Sequence, residues 1–236
     1  MIKLENVTKT FGTGESALTD VNLLIDNGEF VFIVGPSGSG KTTFFRLLIR
    51  EFLPSKGIIL LNDINVTKIS KGKVPELRRK IGVVFQDLKL LMDRTIAENI
   101  MLPLQIAGVD NKAAQEKVHA VLAQVGILDH KDKFPVQLSG GELQRAAIAR
   151  AIVFTPDILV ADEPTGNLDS ATSWEIVKLL QDINKSGTTV LMATHNTDIV
   201  KSLGKRVITI ENGKLTKDEK PSGDSHKKSE KKEEKS

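Results

Sequence analysis

The sequence predicts an α/β fold in which a mostly parallel sheet is covered by helices on both faces. Three observations point there. Largely apolar runs of strand length recur at Phe30–Val34, Ile81–Phe85, Ile158–Ala161 and Thr188–Ala193, the pattern of strands buried on both faces. Segments of helical period alternate with them: Thr43–Phe52 places Phe44, Phe45, Leu48, Ile49 and Phe52 on one face, and Ile176, Leu179, Leu180 and Ile183 share a face between the last two strands. The middle third, from about Thr95 to Phe154, is helical in pattern, with Ala114, Val118, Val121, Leu122 and Val125 repeating along one stripe.

In chain order, Ile2–Val7, Val21–Ile25 and Ile58–Leu61 read as short strands joined by turns around the first buried strand and its helix. The helical middle reads as a subdomain inserted at about residues 88–155. Beyond Leu215 the composition shifts to Lys, Glu, Asp, Ser, Gly and Pro. Too little apolar surface remains there to offset ordering entropy, so the expected division is a domain over 1–215 and a charged, disordered tail over 216–236. Acidic residues interspersed among its lysines argue against a lipid-binding basic patch.

Composition narrows the function. The 236 residues are 40% hydrophobic, enough for a real core, and 33 basic against 30 acidic residues leave a net charge of +3. That balance makes no global case for nucleic acid as a partner. The chain has no cysteine, which excludes disulfides and thiolate metal sites. Apolar runs are far shorter than a bilayer span, and the first residues have neither the basic start nor the apolar stretch of a signal peptide. A cytoplasmic location is expected.

The most informative segment is Gly35-Pro36-Ser37-Gly38-Ser39-Gly40-Lys41-Thr42, which has the spacing of a phosphate-cradling loop. Glycines let backbone N–H groups turn toward a polyanion, and the helix beginning near Thr43 adds the favourable partial charge of its N-terminus. Lys41 supplies a point charge for the outer phosphates, and Thr42 a hydroxyl for Mg2+. A buried strand before the loop and a helix after it favour this reading over a glycine-rich turn that binds nothing. Gly35 to Thr43 are therefore candidate nucleotide-binding residues.

Such a loop needs a carboxylate fixed at a strand end to hold the metal, and Asp162 follows Ile158–Ala161. Glu163, one peptide further on, is placed to polarise the water that attacks the γ-phosphorus. Gln86 follows the strand ending in Phe85, where its amide can reach both metal and water. His195 follows the last buried strand and is a candidate donor to the γ-phosphate. A second anion site is expected at Ser139-Gly140-Gly141-Glu142, where two glycines open a helix. One triphosphate does not readily use two helix N-termini from distant parts of a chain, so head-to-tail pairing is the economical arrangement. Each nucleotide would lie between the loop of one copy and Ser139 of the other. Asp169, just beyond the two carboxylates, is placed to pass information across that contact. Leu88, Leu90, Leu91 and Met92 read equally as a docking surface for a partner or as core contacts.

Gly35–Thr42, Gln86, Leu138–Glu142, Ile158–Glu163, Gly166–Asp169 and His195, in that order and at these separations, closely resemble the ATP-binding subunit of ABC transporters over residues 1 to about 215. The resemblance implies a P-loop NTPase core with a mostly parallel sheet, an N-terminal antiparallel β subdomain and an inserted α-helical subdomain. It implies Mg-dependent hydrolysis of ATP by a homodimer with ATP at its interface. It makes Phe11 the aromatic that stacks on adenine, in place of the commoner tyrosine, Gln86 the Q-loop, Ser139 to Glu142 the signature and His195 the switch histidine. Gly28–Phe32, Arg50–Glu51, Leu77–Asp87 and Lys89–Thr95 narrow the resemblance to bacterial cell-division ATPases. That implies an integral membrane subunit docking near Asp87–Asn99, a peripheral place on the inner face of the cell membrane, and control of peptidoglycan hydrolases. Two alternatives stay open: the ATPase of a MacB-like or lipoprotein-releasing exporter, and a nucleotide-gated regulatory module with little turnover.

Overall fold

Two sheets and seven α-helices build the computed structural model, which describes residues 1–12 and 14–221. The expected tail beyond 221 lies outside the described residues. The chain runs β1 (Ile2–Thr10), β2 (Ser16–Ile25), β3 (Phe30–Val34), α1 (Lys41–Leu48), β4 (Lys56–Leu61), β5 (Ile64–Asn65), α2 (Val74–Arg79), β6 (Ile81–Val84) and α3 (Ile96–Ile106). It continues through α4 (Asn111–Gln124), α5 (Gly140–Ile152), β7 (Ile158–Asp162), α6 (Ser170–Lys185), β8 (Thr189–Ala193), α7 (Thr197–Leu203), β9 (Arg206–Glu211) and β10 (Lys214–Glu219).

The larger sheet has strand order β10-β9-β3-β8-β7-β6, parallel throughout except for β10. The smaller sheet, β2-β1-β4-β5, is antiparallel. Alternation along the parallel strands sorts their side chains between two cores. Phe30, Phe32, Leu159, Ala161, Val190 and Met192 face the cluster that contains α3, α4, α5 and α6. Val31, Ile33, Ile158, Val160, Leu191 and Ala193 face α1, α2 and the antiparallel sheet. Both faces are covered, which is why these strands read as largely apolar runs. The helical subdomain has no separate core, since Ile96, Ile100, Leu104 and Val118 join the sheet residues in one cluster.

Three expectations change. The first helix ends at Leu48 rather than Phe52, because Arg50 adopts a left-handed backbone (φ 58°) that breaks the helical path; Phe52 still packs against the core. The expected boundary after Leu215 falls inside β10, which reaches Glu219. Thr216–Glu219 has little apolar surface, and polar contacts secure the strand. Buried Arg206 on β9 donates to both Asp218 oxygens at 2.7 Å, to Glu29 at 2.7 Å and to the Leu24 carbonyl at 2.8 Å. Finally, Leu88 and Leu90 pack against the helical-side core, whereas Leu91 and Met92 are exposed.

Candidate functional site

Parallel pairing of β3, β8, β7 and β6 puts their carboxyl ends at one edge of the sheet, the place where ligands bind in open α/β sheets. There the chain brings together Gly35 to Thr43, Gln86, Asp162, Glu163 and His195, which with Ala17 line a cleft of about 490 Å³. Four distant sequence segments thus meet because four strands run the same way.

The loop between β3 and α1 is pinned by backbone crowding. Gly35 (φ 147°) lies so close to the Ile210 carbonyl that a Cβ would sit 2.0 Å from its oxygen, and one on Gly40 (φ 111°) would sit 2.5 Å from the oxygen of Ala17. Gly40 is also the left-handed N-cap of α1 and has no side chain to satisfy the first helical N–H groups, which leaves them for an anion. Lys41 Nζ donates to the carbonyls of Gly35 (2.7 Å) and Pro36 (3.0 Å). It therefore lies folded over the cradle, on acceptors that phosphate oxygens would replace.

The residues expected on the metal side pair with each other. Thr42 Oγ1 donates to Asp162 Oδ2 at 2.9 Å. Burial holds the carboxyl of Asp162 above the usual carboxylate range; the Thr42 hydrogen bond opposes this and nearby Glu163 adds to it. A cation would relieve that burial of charge. Among the described residues no three His, Asp or Glu side chains form a metal cluster. One carboxylate, one hydroxyl and the Gln86 amide instead suit Mg2+, which keeps several waters and takes phosphate oxygens.

Glu163 follows β7 with a left-handed backbone (φ 50°), fixed by a bond from its N–H to the Ala193 carbonyl (3.1 Å) and one from Gly166 N to its own carbonyl (3.1 Å). Its Oε2 is buried and accepts no hydrogen bond. His195 Nδ1 stands 2.9 Å from that oxygen. The imidazole is largely exposed, and the carboxylate is 13% exposed. A non-glycine residue held in this region costs about 1–3 kcal/mol.

Ser139, Gly140, Gly141 and Glu142 do not line this cleft. Ser139 caps α5 in a reciprocal box: its N–H and its hydroxyl each donate to Glu142 Oε2 at 2.7 Å. The Ser139 hydrogen bonds, with lesser help from His130 and Lys133, hold Glu142 below the usual carboxylate range. Asp169 is likewise away from the cleft and caps α6, accepting from Thr172 N (3.0 Å) and Thr172 Oγ1 (2.5 Å). Phe11 is also outside it, partly exposed, packed edge-on against Phe52 at 5.3 Å with Lys9 Nζ 5.0 Å from its ring centre. Sequence reasoning misses Ala17, which serves through its carbonyl against Gly40 and Gly213; an alanine carries no chemical signal by which to find it. Asn167, lining the adjoining groove with Thr42, Gln86 and Asp162, is missed as well.

A phosphate cradle, a paired hydroxyl and carboxylate for a cation, and a free carboxylate oxygen beside an imidazole define a nucleoside-triphosphate-hydrolysing cassette. The chain belongs to the ABC transporter family, whose profile matches residues 18–166, and is an ATP-binding and ATP-hydrolysing member of it. Over 219 residues it is 49% identical to the cell division ATP-binding protein FtsE of Bacillus subtilis, covering 93% of this chain and 96% of that one. Over 215 residues it is 45% identical to FtsE of Escherichia coli K12, covering 91% and 97%. A dimeric ATP-binding cassette in a post-hydrolysis state with ADP and Pi superposes with a TM-score of 0.86 at 37% identity, covering 94% of this chain and all of that one. A bacterial ABC transporter cassette, also dimeric, superposes with the same TM-score at 38% identity and the same coverage.

Proposed function

We propose that two copies of this chain close head to tail on two ATP molecules and work with an FtsX-like integral membrane subunit in cell division, controlling peptidoglycan hydrolases. The observation that carries the reading is the division of parts: one chain gathers loop, carboxylates, Gln86 and His195 in a single cleft and leaves Ser139 outside it. A second copy supplying Ser139 would complete the pocket. The dimeric cassettes that this fold resembles, and the FtsE relatives at 45–49% identity, support both halves of the proposal.

Catalysis follows from positioning and charge rather than covalent chemistry. Gly35 to Thr43 bind the phosphates through backbone N–H groups, and Lys41 transfers its donors from the Gly35 and Pro36 carbonyls to the outer phosphates. Thr42, Asp162 and Gln86 would hold Mg2+, which when bound neutralises charge shared between phosphate oxygens. Glu163 takes the proton of the attacking water, on a carboxylate that lines the cleft with Gln86 and His195. With Nδ1 turned to Glu163, His195 keeps Nε2 for the γ-phosphate. Phe11 stacks on adenine, and Asp169 relays closure between copies.

The membrane subunit docks beside the Gln86 loop. A groove of about 660 Å³ runs from Lys89 past Arg78, Leu102, Ile106 and Phe154, and Leu91 and Met92 of the same loop are exposed. No helix among the described residues is long and apolar enough to cross a membrane, so the reading places the chain on the inner face of the membrane through this partner. The test is paired: ATPase activity of the purified chain against Lys41→Ala and Glu163→Gln, and recovery of an FtsX-like subunit from membranes by tagged chain. Full support of division by Glu163→Gln without turnover would make the chain a nucleotide-gated module instead, and recovery of an exporter subunit would replace the cell-division assignment.

A further inference from the structure

We infer that Arg150 is a positioning residue that couples the Gln86 loop to the helix carrying Ser139, so that engagement of Gln86 at one nucleotide orients the signature toward the other. The inference rests on the two-copy ATPase reading above and goes beyond it by assigning the mechanical link.

Arg150 lies near the end of α5, the helix that begins at Gly140. Its guanidinium donates to two successive carbonyls of the Gln86 loop, Nη2 to Leu88 and Nη1 to Lys89, both at 2.5 Å. These are the second and third residues after Gln86, and both are left-handed, with φ of 56° and 54°. Two adjacent non-glycine residues in that region are strained. Further bonds in the turn run from Leu88 N to Phe85 O (3.1 Å) and from Lys89 N to Asp87 O (2.6 Å). The guanidinium contacts the two carbonyls through two nitrogens held at a fixed spacing in one plane, whereas an ammonium would have to serve both from a single atom.

The charge is unusual for its setting. Burial disfavours the protonated guanidinium of Arg150, and among the described residues no carboxylate stands within ion-pair distance of it. Its contacts are therefore with backbone dipoles that exist only while the loop keeps its strained shape. If the loop relaxed, a partly buried cation would lose its acceptors; if α5 shifted, the loop would lose its clamp. Loop and helix thus favour one another's position, which is a two-way linkage. Leu88 adds an apolar anchor to the same core that holds α5.

The test compares Arg150→Ala and Arg150→Lys, the second keeping charge and stem but not the fork. Expected results are unchanged affinity of the single chain for a fluorescent ATP analogue, and a kcat lowered about 2- to 30-fold with KM little altered. In the Glu163→Gln background, the protein concentration needed for ATP-dependent pairing should rise by a similar factor, with lysine failing to restore it. Equal kcat and equal pairing in a folded variant would overturn the inference. Should neither variant fold, hydrogen exchange of the unaltered chain decides, at concentrations too low for pairing: Mg-ATP should slow exchange in Leu88–Leu90 and in the first turns of α5 together. Independent responses of the two segments would overturn it. Failure of the ATPase reading itself would show earlier, as absent turnover in the parent or absent pairing of the Glu163→Gln parent.

Discussion

Replacing Glu163 by glycine should make the chain more stable while abolishing hydrolysis. The left-handed backbone at φ 50° costs an ordinary residue about 1–2 kcal/mol that glycine does not incur. The buried Oε2 accepts no hydrogen bond, and removing an unsatisfied buried acceptor recovers about 1–3 kcal/mol. Against this stand the greater backbone freedom of glycine in the unfolded chain, about 0.5–1 kcal/mol, and the contact with His195, which is small because the imidazole is 73% exposed. The net is a gain of about 1–4 kcal/mol, which for a chain of this size raises Tm by about 2–4 °C per kcal/mol. Thermal unfolding of nucleotide-free protein measures it, with Glu163→Gln as the control that keeps the backbone strain. If Glu163 is the general base proposed above, its loss should lower turnover by a factor of about 100 to 10,000 in both variants. A Glu163→Gly protein that melts below Glu163→Gln would refute the reasoning, because strain and unmet burial would then not be stored at the catalytic turn.

Gly40→Ala should remove measurable ATP binding and destabilise the fold by about 1–3 kcal/mol, since its Cβ would meet the Ala17 carbonyl at 2.5 Å in a left-handed N-cap; calorimetric titration and melting check both. Arg206→Met should cost about 3–5 kcal/mol, because Glu29 and Asp218 lose their shared cation, and hydrogen exchange should speed up first in β10. Asp162 has a folded pKa above its unfolded one, so its contribution to stability is fully present below the unfolded pKa and fades as pH rises through the folded value. Mg-ATP binding needs the ionised form, so affinity should rise over that same interval with proton release, and Asp162→Asn should weaken binding and flatten its pH profile in calorimetry at several pH values.

Local chemistry is what the sequence carried. Gly35 to Thr42 specify a phosphate loop because the ligand's demands are met within eight consecutive residues, and Asp162-Glu163 follow a run whose burial is visible as apolar letters. Polar anchoring was not visible in this way: Thr216–Glu219 looks like the start of a solvated tail until Arg206, Glu29 and Asp218 are seen together. The same holds for Leu88, Leu90, Leu91 and Met92, identical in hydropathy class yet split into two inward and two exposed residues by a left-handed turn. Ala17 and Arg150 act through backbone contacts across the fold, at separations no local pattern reports.

What the sequence by itself determined is the set of reacting groups and the period of the elements that bear them. Only the tertiary structure decided which groups share a cleft: parallel strand pairing delivers Lys41, Gln86, Asp162, Glu163 and His195 to one sheet edge and leaves Ser139 on a helix elsewhere. The physical reason is range. Propensity, capping and glycine freedom act over a few residues, whereas strand order, buried charge pairing and the strain held at Glu163 and Leu88–Lys89 are settled by contacts between segments up to 182 residues apart.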